Sequence, residues 1–360
     1  MKIIRTNINK AVPGMKVAED VYNATGQLII QKDTLLTDKA ITRLRFHSIA
    51  TFKIYEEGGP SLDTAPVNTV SYLNKLRETE EFTQFNGTFK NSVSDFEDVF
   101  NRYLSDESES STKVLLNDVK SLLGQCNTGL QVFDLIHCMR EASDQTYTHC
   151  LNVAIICGVI GSWLGFGKSD IDTLILCGIF HDIGKLTIPS EIIDKPGPLT
   201  PDEYALVKTH ALKGYNLLQP RKLPPSVAMS AMMHHERCNG TGYPMGLTAD
   251  KIDDFAKIVS IADVYDAMTS RRSYREPQSP FEAIHIFETE GLASFDTKYV
   301  MTFIEHITQA YLGSHVQLSD GRVGTLVLLN KQERSKPVIQ IGQEYINLAG
   351  QSGLKIVKLM

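Results

Sequence analysis

The feature that most constrains the fold is an apolar stretch over Cys150–Phe166. It is shorter than the ~20 apolar residues that span a bilayer, and it contains Asn152, Ser162 and three glycines. We therefore predict a buried core helix and no membrane insertion. Over residues 118–313 the apolar residues recur at helical spacing. The sequence therefore predicts an all-helical core domain built around this stretch.

Different sequence patterns flank this helical core. Residues 1–57 alternate short apolar runs with turn signals, whereas residues 314–360 alternate strand patterns around an Asp320-Gly321 turn. We expect a mainly α protein with a small α/β or β-rich N-terminal module and a short C-terminal β element. The predicted regions are the N-terminal module (1–57), a linker (58–70), a helical connector (71–117), the core domain (118–313) and the β element (314–360). Within the connector, the polar run 105–112 is predicted to be a solvated loop.

Composition excludes several classes of protein. The formal net charge of −6 and the dispersed basic residues argue against bulk binding of a nucleic-acid polymer or an anionic membrane. An anionic ligand must therefore meet a local basic site. The six cysteines show no CxxC spacing, and the N-terminus lacks the apolar stretch of a signal peptide. We expect a cytoplasmic protein.

The strongest local signal is the sequence Phe180-His181-Asp182-Ile183-Gly184-Lys185, which ends an apolar helical pattern. It brings an imidazole, a carboxylate and an ammonium group within one turn. Adjacent His and Asp side chains can face one cavity only where the helix ends or is distorted. Gly184 and Pro189 are placed where such an ending is expected.

Other potential metal ligands lie elsewhere along the core. His149 opens the preceding core helix, His210 lies in the helix that begins near Pro201, and His234-His235 closes the next helix. Asp263 lies within an apolar run, where an unpaired carboxylate is costly to bury. Imidazole and carboxylate ligands together suit Fe, Mn, Zn or Co, and a shared carboxylate can bridge two ions. The pattern predicts a metal centre, although each histidine alone is more typical of a structural side chain.

Two further groups follow these residues. The loop Gly240–Pro244 is either a simple turn-rich connection or a rigid rim beside the metals, with Tyr243 facing a ligand. Arg271, Arg272 and Arg275 follow the Asp263 helix, where their guanidinium groups could bind phosphate oxygens in a bidentate manner. A solvated helix end is the alternative interpretation of these arginines.

Taken in order, these motifs resemble the HD-GYP domain, a subgroup of the HD metal-dependent phosphohydrolases. The resemblance covers about residues 147–274. It rests on His149, HDIGK (181–185), KPGPLT (195–200), His210, HHE (234–236), NGTGYP (239–244) and ADVYDAMTSRRSY (262–274). It implies a helical HD-type core and hydrolysis of cyclic di-GMP, a bacterial second messenger, to pGpG or GMP.

The resemblance also implies roles for individual residues. One metal ion would be held by His149, His181, Asp182 and Asp263. Asp182 would bridge to a second ion, held by His210, His234 and His235. Both ions are expected to be Fe or Mn. Asp182 and Lys185 would be catalytic, and the substrate would contact Lys185, Tyr243, Arg272 and Arg275.

Two positions depart from the family pattern. Gln145 stands where some members carry a glutamate ligand for a third metal, so we expect two metal ions. Asn239 stands where the family usually has an aspartate.

Three alternatives remain open at this stage. The substrate could instead be cyclic GMP-AMP or a nucleotide monophosphate, because metal ligands report the reaction better than the base. Asn239 favours a non-catalytic module that binds cyclic di-GMP or docks a diguanylate cyclase (GGDEF) partner through the GYP loop. The N-terminal module could be a sensor, a structural appendage or part of a homodimer interface.

Overall fold

The computed structural model describes residues 2–8, 11–22, 28–37, 40, 41, 44, 49, 51–56, 76–103, 109–126, 129–139, 146–195, 197–270 and 277–360. The chain divides into two compact units, Met1–Thr69 and Val70–Met360. The predicted linker over residues 58–70 lies outside the described residues.

The N-terminal unit is rich in strands, as predicted. Strand β1 (Lys2–Asn7) pairs antiparallel with β4 (Thr51–Glu56), and β2 (Val21–Tyr22) pairs antiparallel with β3 (Leu28–Ile30). The unit has its own apolar core, which includes the fully buried Val17. The described part of this small unit therefore has a core of its own.

The second unit is mainly helical, which confirms the predicted fold class. Its helices are α1 (Glu80–Tyr103), α2 (Glu109–Gly124), α3 (Gly129–Met139), α4 (Thr146–Trp163), α5 (Lys168–Phe180), α6 (Ser190–Ile193), α7 (Pro201–Lys208), α8 (His210–Leu218), α9 (Pro225–Met233), α10 (Asp254–Thr269), α11 (Pro280–Ile286), α12 (Leu292–Ser294) and α13 (Thr297–Ala310). A 3-10 helix covers Ile183–Thr187, and a π-helix covers Phe287–Gly291.

Helix α4 is the centre of this unit. Every residue from His149 to Gly161 is buried, so α4 has apolar neighbours on all sides and no solvent-facing stripe. Helix α5 packs closely against it, because a Cβ at Gly178 would lie only 2.7 Å from the Cα of Ala154. The predicted core helix is therefore present. None of the described helices is long and apolar enough to span a membrane.

Helices α1 and α2 pack into the same core through buried Phe96, Phe100 and Leu115. The prediction of a solvated loop over residues 105–112 was wrong for its second part, since α2 begins at Glu109. Thr112 is only 8% exposed and lies one helical turn before Leu115, so this face of the polar run packs inward. Residues 104–108 lie outside the described residues.

The C-terminal strands form one antiparallel sheet of order β8-β7-β6-β5-β9. The strands are β5 (His315–Leu318), β6 (Val323–Leu328), β7 (Val338–Ile341), β8 (Glu344–Asn347) and β9 (Ile356–Leu359). Buried Val316, Leu326 and Ile339 belong to the same apolar core as the helices. The π-helix also holds the loop between β6 and β7, because the Glu288 carboxylate accepts hydrogen bonds from the backbone N–H of Arg334 at 2.6 Å and of Ser335 at 3.1 Å.

Candidate metal centre

Helix α5 gives way to a 3-10 helix, and His181 and Asp182 lie at this junction. The helix ends at Phe180, His181 caps it, and Asp182 leads into the 3-10 helix Ile183–Thr187. Both side chains are almost fully buried. The predicted ending of the helix therefore explains how adjacent His and Asp residues enter one cavity.

Gly184 brings a third element to this point. A Cβ at Gly184 would overlap the carbonyl oxygen of His210 and would lie 2.6 Å from the backbone nitrogen of Gly214. Only glycine allows helix α8 to approach so closely. His210 is the first residue of α8, which follows α7 after Thr209. The prediction that His210 lies in the helix beginning near Pro201 was therefore wrong.

The Asp182 carboxylate lies between two groups of histidines. Its Oδ2 is 3.3 Å from His181 Nε2 and 3.7 Å from His149 Nε2. Its Oδ1 is 3.4 Å from His210 Nε2 and 3.7 Å from His234 Nε2. Each carboxylate oxygen therefore faces a different pair of imidazole nitrogens.

We name the two sides of the centre by their ligands. The acidic half consists of His149, His181 and Asp263 around Asp182 Oδ2. The imidazole half consists of His210, His234 and His235 around Asp182 Oδ1. Ligand atoms of Asp182 and the three imidazole-half histidines lie within 4.8 Å of one another, and those of His149, His181 and Asp182 do the same.

Asp263, from helix α10, is the member of the acidic half that also approaches a histidine of the imidazole half. Its Oδ1 is 3.1 Å from His149 Nε2, and its Oδ2 is 3.9 Å from His235 Nδ1. Asp263 does not belong to either group of mutually close ligand atoms. The structure thus brings all seven predicted ligand residues together, with Asp263 hydrogen-bonded to His149.

Backbone carbonyl groups fix the orientation of three of the rings. In each, Nδ1 lies within hydrogen-bond distance of a carbonyl oxygen three or four residues earlier in the chain. The distances are 2.8 Å for His181 to Gly178, 2.7 Å for His210 to Val207 and 3.0 Å for His234 to Ser230. Because Nδ1 donates to these oxygens, the Nε2 lone pair is directed toward Asp182, the arrangement that metal-ligating histidines adopt.

His149 is held by a carboxylate instead. Its Nδ1 donates to Asp266 Oδ2 at 2.7 Å, and Asn152 donates to the other oxygen of Asp266 at 3.1 Å. Asp266 was not among the site residues predicted from the sequence. Its position one helical turn after Asp263 on α10 was the available signal, because residues three apart share a helix face.

The two halves differ in charge. Burial lowers the pKa of His149, but its hydrogen bonds to Asp263 and Asp266 outweigh this effect and raise that pKa to about 9. In the imidazole half, burial lowers the pKa of His210 to about 4 and holds the pKa of His235 well below its usual value. The acidic half therefore attracts positive charge, whereas the imidazole half offers neutral nitrogen ligands.

Burial by itself would raise the pKa of Asp182. The nearby Lys185 and His181 outweigh burial and hold that pKa well below its usual value. Asp182 is therefore a carboxylate over the physiological pH range and can serve both halves as an anionic ligand.

The buried polar atoms fit the binding of divalent metal ions. Asp182 Oδ1 and His181 Nε2 are buried and find no hydrogen-bond partner among the residues that the structure describes. An unsatisfied buried polar group costs about 1–3 kcal/mol, so such atoms need another partner. Nitrogen and oxygen donors in this combination suit first-row divalent ions, and a bridging carboxylate can hold two of them.

Lys185 and Tyr243 lie at the rim of the centre. The Lys185 ammonium is 2.5 Å from Asp182 Oδ2 and partly exposed. The Tyr243 ring stacks on the His235 ring, with centroids 4.6 Å apart and planes inclined at 28°. The loop predicted to form a rim therefore contacts a ligand of the imidazole half directly.

Glu236 holds this loop in place. It is buried, and its two oxygens accept hydrogen bonds from the backbone N–H of Met245 at 2.7 Å and of Leu247 at 2.8 Å. A Cβ at Gly242 would overlap the backbone of residues 235–237, so the loop lies directly on the histidine segment. Glu236 belongs to the HHE motif, but no function was predicted for it from the sequence.

Asn239 forms the turn that begins the loop. Its Oδ1 accepts hydrogen bonds from the backbone N–H of Thr241 at 3.1 Å and from the Thr241 hydroxyl at 2.7 Å. An aspartate would accept the same bonds, so the amide retains this structural role. Gln145, Arg271, Arg272 and Arg275 lie outside the described residues.

Comparison with known proteins gives the family. Residues 115–299, just over half of the chain, match the model of the HD domain family. The chain therefore belongs to the HD domain family, and the resemblance found in the sequence is confirmed at this level.

Two curated relatives and one solved structure add detail. A cyclic di-GMP phosphodiesterase of Pseudomonas aeruginosa is 34% identical over 198 residues, which cover 55% of this chain and 47% of that protein. A 3′3′-cGAMP-specific phosphodiesterase of Vibrio cholerae is 32% identical over 177 residues, which cover 49% of this chain and 34% of that protein. The chain thus spans about half or less of the curated relatives it matches. An HDG"Y"P protein from Bdellovibrio bacteriovorus has a similar fold, with a TM-score of 0.52, 16% identity and coverage of 85% of this chain and 99% of that one.

Proposed function

We propose that this protein is a metal-dependent phosphodiesterase that hydrolyses cyclic di-GMP to pGpG or GMP. The observation that carries the proposal is the Asp182 carboxylate, whose two oxygens face two separate groups of buried imidazole nitrogens. This is the ligand arrangement expected of a two-metal phosphohydrolase. The cyclic dinucleotide phosphodiesterases among the relatives support the substrate class.

We propose two divalent ions, one in each half of the centre, with Asp182 shared between them. The mixed imidazole and carboxylate donors suit first-row metals, and the family resemblance favours Fe or Mn. Such ions supply Lewis acidity, which lowers the pKa of coordinated water and offsets negative charge on the attacked phosphate.

The protein's own groups complete the chemistry. The backbone carbonyls and Asp266 hold the imidazole rings in fixed orientations, so that the ligands need little rearrangement. Lys185 provides a fixed positive charge beside Asp182, where it stabilises charge developing on a phosphate in a site sheltered from water. Tyr243, Arg272 and Arg275 are proposed to contact the substrate.

Two alternative functions differ from this proposal in distinct ways. Hydrolysis of cyclic GMP-AMP uses the same centre and is favoured by the similarity to a 3′3′-cGAMP-specific enzyme. A non-catalytic module that binds cyclic di-GMP was suggested by Asn239. Because Asn239 retains the hydrogen bonds of the turn and lies exposed, it argues less strongly against catalysis than the sequence alone suggested.

A substrate panel tests the proposal. Protein purified without oxygen and loaded with Fe or Mn is incubated with cyclic di-GMP, cyclic GMP-AMP and cyclic di-AMP, and the products are separated. We expect pGpG or GMP from cyclic di-GMP. Asp182→Ala should abolish turnover, whereas the matched carboxylate variant Asp320→Ala, in the turn between β5 and β6, should not. Tight binding of cyclic di-GMP without hydrolysis by the loaded protein would instead establish the binding module.

Two partner proposals follow from the family resemblance. One is docking of a diguanylate cyclase through the GYP loop, in which Met245 is 52% exposed and so offers an apolar contact. The other is a homodimer. Size-exclusion chromatography with light scattering, with and without a GGDEF domain, tests both: a single monomeric peak in each experiment would exclude them.

A further inference from the structure

Helix α7 presents a second feature beside the metal centre. Tyr204 and Lys208 lie four residues apart and therefore share one face of the helix. The Lys208 ammonium lies 5.0 Å from the centroid of the Tyr204 ring and 5.8 Å from the centroid of the Tyr243 ring. Since Tyr243 stacks on His235, this group borders the imidazole half. We call these three residues the tyrosine–lysine rim.

Lys208 differs from Lys185 and Lys195 in how its positive charge is paired. Lys185 is paired with Asp182, and Lys195 forms an ion pair with Glu203 at 2.6 Å. Within the described part of the chain, no carboxylate lies within ion-pair distance of Lys208. Among the described residues, its ammonium lies beside two aromatic rings and not beside a carboxylate, so its positive charge is available to an anionic ligand.

Tyr204 offers an exposed aromatic ring beside the metal centre. It is 49% exposed, although it lies next to a largely buried site. Exposed aromatic rings beside a positive charge form the platforms on which nucleobases stack, and stacking contributes about 1–3 kcal/mol per base. An ammonium group next to such a ring can bind the phosphate attached to the stacked nucleoside.

A cyclic dinucleotide needs a contact of this kind. It carries two phosphates and two bases, and only one phosphate can lie at the two metal ions. We propose that the tyrosine–lysine rim is a subsite for the nucleotide that is not cleaved. Its purine base stacks on Tyr204, and its phosphate contacts Lys208. This inference rests on the proposed function, because it assumes a dinucleotide substrate.

The test compares a substrate that reaches the rim with one that does not. Lys208→Gln and Tyr204→Leu are prepared as metal-loaded full-length protein, with Lys168→Gln and Tyr345→Leu as matched controls. Lys168 lies at the opposite end of α5 from His181, and Tyr345 lies on β8. The measurements are the Kd for cyclic di-GMP, the metal content, and kcat/KM for cyclic di-GMP and for methyl p-nitrophenyl phosphate, a small phosphodiester without a base.

We expect each rim variant to weaken binding of cyclic di-GMP about tenfold. The ratio of kcat/KM for cyclic di-GMP to that for the small phosphodiester should fall by a similar factor, with metal content equal to that of the control variants. Rim variants that match their controls in Kd and in this ratio would overturn the subsite. If wild-type protein binds cyclic di-GMP without hydrolysing it, the proposed function fails, while the Kd values still decide the subsite. If wild-type protein does not bind cyclic di-GMP, both proposals fail.

Discussion

The acidic half and the imidazole half of the metal centre share the Asp182 carboxylate, yet they are built from different ligands. In the acidic half, His149 is enclosed by Asp263 and Asp266, which raise its pKa to about 9. In the imidazole half, burial lowers the pKa of His210 to about 4. A cation is therefore attracted to the acidic half by charge, and to the imidazole half chiefly by neutral nitrogen donors and Asp182 Oδ1.

This difference explains why Asp182 has a central position. Without it, the imidazole half would contain only neutral ligands, whereas the acidic half would still contain Asp263. The two halves should therefore respond separately to changes in their own ligands and together to changes in Asp182.

Removal of one ligand from each half should have the largest effect. His149→Ala and His210→Ala should each lower activity by at least about a hundredfold. Mutation of a residue that only hydrogen-bonds to a metal ligand already lowers metal affinity or activity about ten- to a hundredfold, and loss of the ligand itself should cost more. Each variant should keep about one ion, in the half that was not changed. Elemental analysis of protein prepared without oxygen measures this. Loss of both ions from either variant would show that the halves do not bind independently.

Lys185→Ala should separate catalysis from metal binding. The Lys185 ammonium neutralises Asp182 Oδ2 on the acidic side, and its removal should leave both ions bound. We expect kcat to fall about a hundredfold, because a positive charge aimed at the developing charge is lost. Single-turnover kinetics and metal content measure the two effects. Wild-type kcat in the variant would exclude Lys185 from the mechanism.

Asp266→Asn should weaken the acidic half alone. The amide can no longer provide a charged acceptor for His149 Nδ1, and such outer partners change metal affinity by about ten- to a hundredfold. We expect about a tenfold weaker Kd for one ion and an unchanged Kd for the other, measured by anaerobic titration with Mn²⁺. Equal weakening of both ions would contradict the separation between the halves.

Glu236→Gln should have the smallest effect, and on the imidazole side only. Its amide group would face a backbone N–H that now donates to a carboxylate oxygen, so the loop carrying Tyr243 should lose its fixed position. We expect KM to rise about fivefold with kcat and metal content retained. This corresponds to about 1 kcal/mol, the lower end of the range of about 1–3 kcal/mol for a buried polar group that loses its hydrogen-bond partner. Glu290→Gln, at an exposed position of the π-helix, is the matched control; a KM equal to that of this control would exclude the positioning role of Glu236.

Much of this centre could be predicted from the sequence. Helical periodicity and the apolar stretch around Val153 predicted the core helix, because a segment that is apolar on all sides must be buried. The ordered motifs predicted which histidines and aspartates would meet. The separation of the two Asp182 oxygens could not be predicted, since it depends on Gly184 allowing helix α8 to approach within contact distance of the segment that carries His181.

Other features depend on contacts between distant residues. Asp266 and His149 are 117 residues apart, so their hydrogen bond could not be predicted from the local sequence pattern. Alternation of apolar residues predicted β5 and β6, but it could not indicate that Val316 would share a core with the helices. In the sequence, Lys208 does not differ from a solvated helix residue. Its proximity to Tyr243 depends on the fold and could not be predicted.

We propose that Asp182 would hold two metal ions, one in each half of the centre. The most direct measurement is anomalous X-ray scattering from crystals of Mn-loaded protein grown without oxygen. We expect two peaks about 3.5–4 Å apart, the usual separation in two-metal sites, on opposite sides of the Asp182 carboxylate. A single peak, or two peaks that do not both contact Asp182, would contradict it.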